Sequence, residues 1–204
     1  MLNPNLTRRR FIGSTAIGAG GVISGATAIE LLSTTRVWAD AASDLDVLNF
    51  ALTLEYLEAD FYAKGVATVK FKDAHEKAVI NLIAADEAAH VTALTDTITK
   101  AGGKPVAKPT VKYPAGTFDK RDTFITTAKT FEEVGVGAYL GQAGAITSPD
   151  VLQAAVAIFG VECRHAALIG RLAGLPPEGG IYQGPTEKPK AKAEVLTAVM
   201  PFLS

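Results

Sequence analysis

The sequence predicts an all-α protein: a four-helix bundle with one long crossover between its second and third helices, plus a short C-terminal helix. Two observations carry this expectation. Four long segments place apolar residues at intervals of three and four, the spacing that keeps one stripe of a helix turned toward a core. The connections between them are unequal: about 9 residues, then about 18, then about 3, as judged from cap and stop residues. Short connections make antiparallel hairpins, and about 18 extended residues span the length of a bundle.

Each element has its own boundary chemistry. The first helix is expected from about Asp44 to Lys64, with Ser43 as N-cap and Gly65 past its end. The second runs from about Ala74 to Ala101, capped by Asp73 and stopped by Gly102-Gly103. The stretch from Gly102 to Thr117 holds Pro105, Pro109 and Pro114 and shows little helical periodicity, so it reads as the crossover. The third helix is expected from about Lys120 to Ile146 behind Asp119 as cap. Ser148-Pro149-Asp150 opens the fourth, with proline at the first helical position, and it continues to about Ala173 before Gly174 and Pro176-Pro177. A loop rich in Gly, Pro and Lys then leads to Ala191–Leu203, a short helical pattern interrupted by Pro201 and expected to pack on the outside.

Composition sets the frame. At 204 residues, 48% hydrophobic and 20% charged, the chain fits one soluble globular domain. It divides into residues 1–39, a bundle over 40–174 and a tail over 175–204. The formal net charge of −1 conceals an asymmetry, because the first 39 residues hold Arg8, Arg9, Arg10 and Arg36 against one acid, Glu30. The remainder is mildly acidic without a Lys/Arg block, which excludes the basic footprint that nucleic-acid phosphates demand. The single cysteine, Cys163, forms no internal disulfide and reads as a small buried hydrophobe on a helix.

The N-terminus reads as an address. Thr7-Arg8-Arg9-Arg10-Phe11-Ile12 precedes a Gly/Ala/Ile-rich stretch to about Leu32, followed by Val37-Trp38-Ala39 with the small-residue pattern of a cleavage site. These residues resemble a twin-arginine export signal, which implies a periplasmic or extracellular protein, folded before crossing, that meets the membrane only through this segment. The competing reading is an uncleaved signal anchor, since the stretch is about as long as a bilayer span requires. Its glycines, hydroxyl residues and Glu30 make it weakly apolar, which favours the signal.

The chemistry concentrates on glutamate and histidine. Of three histidines, two stand three residues after a glutamate, in Glu87-Ala88-Ala89-His90 and Glu162-Cys163-Arg164-His165. In the second helix, Glu87 and His90 continue the apolar stripe of Ile80, Ile83, Leu94 and Ile98. In the fourth, Glu162 and His165 do the same within Leu152, Ala155, Phe159, Ile169 and Leu172. The first helix places Glu55 inside a stripe with Leu45, Leu48, Leu52, Ala59 and Tyr62. The third places Glu132 with Ile125, Ala128, Gly135, Tyr139 and Gln142. An unpaired carboxylate in such a place costs several kcal/mol, so each must be protonated, ion-paired or metal-bound. Glu55 and Glu87 are 32 residues apart, and Glu132 and Glu162 are 30 apart, which suggests two related hairpins.

This pattern resembles the ferritin-like superfamily, whose di-iron and di-manganese members build their sites from one Glu on each of two helices and Glu-x-x-His on each of the others. The resemblance spans about residues 43–174. The runs Leu54-Glu55-Tyr56-Leu57-Glu58-Ala59-Asp60-Phe61-Tyr62 and Gly135-Val136-Gly137-Ala138-Tyr139-Leu140-Gly141 are further similar to exported bacterial ferritin-like proteins of a desiccation-related group. It implies a metal site of Glu55, Glu87, His90, Glu132, Glu162 and His165. In it Glu87 and Glu162 would bridge two metals, each histidine would bind one, and Glu55 and Glu132 would be terminal ligands. Two Fe or two Mn ions suit this oxygen-rich set, with zinc still open. Asp86, Tyr62, Tyr139 and Gln142 are candidates to orient the ligands. Glu58, one turn from Glu55, and Glu133, beside Glu132, are the alternatives at those positions; His75 reads as a surface residue. The glycines from Gly135 to Gly144 read as tight helix approach, with substrate access as the alternative.

Three functions follow from the resemblance. One is a redox enzyme consuming oxygen or peroxide, or oxidising Fe(II), in the manner of a ferroxidase, peroxidase or catalase. The second is metal binding without turnover. The third is structural, stress-related protection in which metal ties the helices together. A homodimer is compatible with all three, and fold analogy does not choose among them.

Overall fold

The computed structural model describes residues 44–203. Ser43 as a cap and the N-terminal export segment therefore lie outside the described residues. Helix α1 spans Asp44–Thr68, α2 Ala74–Lys100, α3 Arg121–Ala143, α4 Pro149–Leu172 and α5 Lys192–Val199, followed by a 3-10 turn over Met200–Phe202. Among the described residues there is no strand, only two isolated bridges, Val111 with Leu203 and Glu178 with Tyr182. The α1–α2 and α3–α4 pairs are hairpins, and residues 101–120 form the crossover, as the connection lengths required.

Two of the expected caps are present. The Asp73 side chain accepts the Glu76 amide at 2.8 Å, and Ser148 accepts the Val151 amide with Pro149 next in the chain. Three boundaries differ from expectation. Helix α1 continues through Gly65 to Thr68, because Gly65 is a packing residue: a Cβ there would meet Phe124 Cε2 at 2.1 Å. Lys120, in extended conformation, is the N-cap of α3, while the Asp119 amide donates to Gly116 in the preceding turn. At the other end α3 stops at Ala143 rather than Ile146, and the Ala145 and Ile146 amides close single turns onto Gln142 and Ala143.

The crossover lies along α1. Asn49 accepts the Val106 amide at 2.7 Å, and Tyr113 donates to Asp60 at 3.1 Å. The Lys112 amide donates to Phe202, which joins the crossover to the C-terminal turn. Helix α5 packs on the outside of the four long helices, as expected, and its inward residues Val195 and Val199 join one core cluster with Phe50, Leu57, Phe61, Phe131 and Val134. This second cover explains why α1 and α3 bury residues around most of their circumference, whereas α2 and α4 bury a single stripe.

Two apolar layers result. One gathers Phe61, Tyr62, Ile80, Ile83, Phe124, Ile125 and Ile169, with Phe61 stacked on Phe124 at 4.6 Å between centroids. The other gathers Leu48, Leu52, Leu94, Ile98, Tyr139, Val151 and Ile158. Between them, in the middle of the bundle, lies a layer of acid and imidazole.

Candidate metal centre

Each long helix delivers its ligand-type residues from its inward stripe. Glu55 comes from α1, Glu87 and His90 from α2, Glu132 from α3, and Glu162 and His165 from α4. The four glutamates are completely buried, and His165 and His90 are 2% and 7% exposed. All six sequence-predicted residues converge. They form two overlapping sets, Glu55, Glu87, His90, Glu162 and Glu87, Glu132, Glu162, His165, and in each set one ligand-type atom per residue lies within 4.8 Å of the others. Glu87 and Glu162 belong to both.

His90 Nδ1 stands 3.2 Å from Glu55 Oε2, 3.3 Å from Glu87 Oε2 and 3.2 Å from Glu162 Oε1. His165 Nδ1 stands 2.8 Å from Glu87 Oε1 and 3.7 Å from Glu132 Oε2, while its Nε2 is 3.1 Å from Asp86 Oδ2. If Nε2 carries the proton for Asp86, Nδ1 turns a lone pair on the carboxylates. That atom, Glu87 Oε1, Glu132 Oε2 and both Glu162 oxygens are buried without any hydrogen bond. Buried polar atoms are rarely left so. Acceptors crowded at such distances repel one another, and a cation between them removes the repulsion. The donor set is thus one that can hold metal.

The outer contacts are reciprocal. Tyr139 on α3 donates to Glu55 Oε1 at 2.6 Å, and Tyr62 on α1 donates to Glu132 Oε1. Each tyrosine stands seven residues after the glutamate of its own helix and holds that of the other. Gln142 does not join: it lies one turn beyond Tyr139 among Val47, Leu48, Leu94 and Ile146. Glu133 pairs with Lys129 at 2.5 Å and is 40% exposed, which leaves Glu132 as the inward residue. At the other ambiguous position the structure buries both, Glu55 and Glu58. His75 is on the surface.

Burial, then the neighbouring Glu162, raise the carboxyls of Glu58, Glu87 and Glu132 well above their ordinary range. Burial and Glu55 also raise Glu162, against opposition from both histidines. Burial would lower His90, but Glu162, Glu55 and Glu87 outweigh it and push the imidazole up to about 12.

Gly135 has a different reason from either expected one. A Cβ there would lie 2.7 Å from Glu162 Oε2, so the glycine makes room for a carboxylate of the cluster. Cys163 is half-buried rather than buried. It faces a groove lined by Glu133, Gly137, Ile181 and Glu187, and burial raises its thiol above the ordinary value.

Residues 43–175 match the family model described as a ferritin-like domain. The chain belongs to this family. No curated protein matches it. Its ferritin-like domain is similar in fold to a dodecameric thioferritin, a bacterioferritin-related protein from Bacteroides fragilis, with 22% identity and a TM-score of 0.56 over 69% of this chain and 90% of that one. It is similar also to a ferritin-like, diiron-carboxylate protein from Bacillus anthracis, with 19% identity and a TM-score of 0.53 over 64% and 94%. A hypothetical protein from Methanococcus jannaschii shares the fold at 14% identity and a TM-score of 0.52, over 76% and 91%. At these identities the likeness establishes fold, and the site argument rests on this chain's own residues.

Proposed function

We propose that the ferritin-like domain binds a carboxylate-bridged pair of Fe or Mn ions and supports redox chemistry on oxygen, peroxide or Fe(II). The observation that carries this reading is the pair of overlapping Glu/His sets with Glu87 and Glu162 common to both, left with orphaned acceptor atoms. Glu87 and Glu162 would bridge, His90 with Glu55 and His165 with Glu132 would complete the two positions, and four carboxylates would neutralise two divalent cations. When bound, such a pair supplies one-electron exchange and two adjacent sites for a small substrate.

The chain's own groups prepare that chemistry. Asp86 fixes the His165 ring and its tautomer, and Tyr139 and Tyr62 fix Glu55 and Glu132, so that their free oxygens face inward. The apolar layers on either side keep bulk water from the centre. The resemblance to a diiron-carboxylate neighbour supports iron. The Arg8-Arg9-Arg10 segment supports export, as in the desiccation-related group to which the α1 and α3 runs are similar. Full burial of all six residues also favours a second reading, in which metal ties the four helices together without turnover.

Oxygen-uptake and peroxide-decay assays on metal-loaded protein, with a Glu87→Ala, Glu162→Ala double variant as control, separate these readings. Turnover lost in the variant supports the redox reading; metal bound with no turnover of oxygen, peroxide or Fe(II) supports the structural one. Export is tested by replacing Arg8, Arg9 and Arg10 with lysine and following the protein's compartment, together with N-terminal sequencing of the mature chain.

A further inference from the structure

The two tyrosines that grip the carboxylate layer differ in what lies behind them. Tyr139, which donates to Glu55, meets no aromatic ring among the described residues, whereas Tyr62, which donates to Glu132, opens a row of rings. Phe61 stands edge-on to Tyr62 at 5.3 Å between centroids, and Tyr113 lies 5.8 Å beyond Phe61. Tyr113 comes from the crossover and is half-buried, so the row leads from the interior to the surface on one side of the bundle only.

The outer end of the row carries a group that can take a proton. The Tyr113 hydroxyl donates to Asp60 Oδ2 at 3.1 Å and reaches the Leu57 carbonyl at 3.3 Å. Burial would raise the Asp60 carboxyl, but hydrogen bonds from Lys64 and Tyr113 and the charges of Lys64 and Lys108 outweigh it, so Asp60 is an anion. Burial, then Asp60, raise the Tyr113 phenol, which keeps its proton at rest. Lys64 Nζ also stands 4.9 Å from the centre of the Tyr113 ring, where an unpaired cation would oppose loss of an electron; its ion pair with Asp60 at 2.6 Å compensates that charge. Tyr113 and Asp60 both lie outside the two Glu/His sets.

We propose that Tyr113 is a redox relay residue, passing single electrons from a reductant at the surface through Phe61 and Tyr62 to the centre while Asp60 takes and returns its phenolic proton. This rests on the redox reading above, with hydrogen peroxide as oxidant. Loss of an electron makes the Tyr113 hydroxyl strongly acidic, so its O–H bond breaks and the proton moves to Asp60 Oδ2, leaving a neutral phenoxyl radical. Phe61 is too hard to oxidise to hold the charge and serves as the packed path between two rings that can. A one-electron donor such as ascorbate then reduces the radical, and the proton on Asp60 returns to the oxygen. Two ascorbate ions, each giving up one electron and one proton, convert one peroxide to two waters.

Freeze-quench electron paramagnetic resonance of protein loaded with Fe(II) without air and mixed with hydrogen peroxide tests the proposal. Wild type should form a phenoxyl radical whose signal narrows when the protein is made with ring-deuterated tyrosine and is erased by ascorbate. Tyr113→Phe, which keeps the ring, should lose the ascorbate-sensitive signal with iron content unchanged. Asp60→Asn, which keeps an acceptor but removes the base, should weaken it, and a signal equal to wild type overturns the role of Asp60. A folded Tyr113→Phe variant with the wild-type signal overturns the relay and leaves the redox reading intact. So does a wild type that binds iron and consumes peroxide without a radical narrowed by deuteration, a readout that needs no substitution. A wild type that binds no iron or leaves peroxide untouched overturns the redox reading and the relay with it.

Discussion

The Tyr139 hydroxyl donates to Glu55 Oε1 at 2.6 Å across the bundle, from α3 to α1. Its counterpart, Tyr62, reaches from α1 to Glu132 on α3. Both phenols are buried, and burial followed by the carboxylate each one faces raises their pKa far beyond neutral pH, so they remain donors. A donor of this kind occupies one oxygen of each carboxylate and leaves the other for the centre.

Removing either donor should therefore be felt in stability and in metal affinity. Tyr139→Phe and Tyr62→Phe each leave a buried acceptor unsatisfied, at about 1–3 kcal/mol. Urea unfolding of the apo forms measures the first effect, and metal titration should show an affinity loss of about tenfold or more. If both variants match wild type in each measurement, the reciprocal bonds do not position the ligands.

The apo protein should lose stability as pH rises. The raised carboxyls of Glu58, Glu87, Glu132 and Glu162 favour the folded state below about 4.5, and that contribution fades as pH climbs through their folded values. His90, raised to about 12, behaves alike from 6.5 upward. Metal displaces these protons, so the loaded protein should hold its melting temperature where the apo form falls, between about pH 5 and about pH 8. Thermal scans of both forms check this; parallel pH profiles would contradict it.

Glycine replacements should diverge in sign. Gly65→Ala drives a methyl into Phe124 and should cost about 1–3 kcal/mol. Gly160→Ala, in the interior of α4 with nothing within 4 Å of the added carbon, should stabilise by about 0.5–1 kcal/mol. Denaturant midpoints decide both.

Arg121 joins three helices at one end of the bundle. Its Nε donates to the buried Glu76 at 2.7 Å and its Nη2 to the Leu172 carbonyl at 2.5 Å. Arg121→Ala leaves both acceptors without this donor and should cost about 1–3 kcal/mol, read as a lower melting temperature with metal stoichiometry unchanged. An altered stoichiometry would show that this end of the bundle is coupled to the centre.

Much of this was legible in the sequence. Glu87, His90, Glu162 and His165 announced themselves because charged residues interrupted apolar stripes at helical spacing, and such interruptions require partners. Asp73 and Ser148 marked helix starts because their caps are made within a few residues. What remained hidden depends on contacts distant along the chain. Gly65 looked like a stop, since nothing local reveals that Phe124 needs its space. The depth at which Val195 and Val199 enter the core was likewise hidden, since their partners Phe50, Leu57 and Phe131 are far away in sequence. Glu58 and Glu55 both face inward for a related reason, since α1 is enclosed on nearly all sides.

The central claim is tested most directly by metal analysis of protein purified with its native metal, alongside the Glu87→Ala, Glu162→Ala double variant. The account predicts about two Fe or Mn per chain in wild type and almost none in the variant. A folded wild-type protein that carries no metal and takes up none on titration, with stability equal to that of the variant, would contradict it.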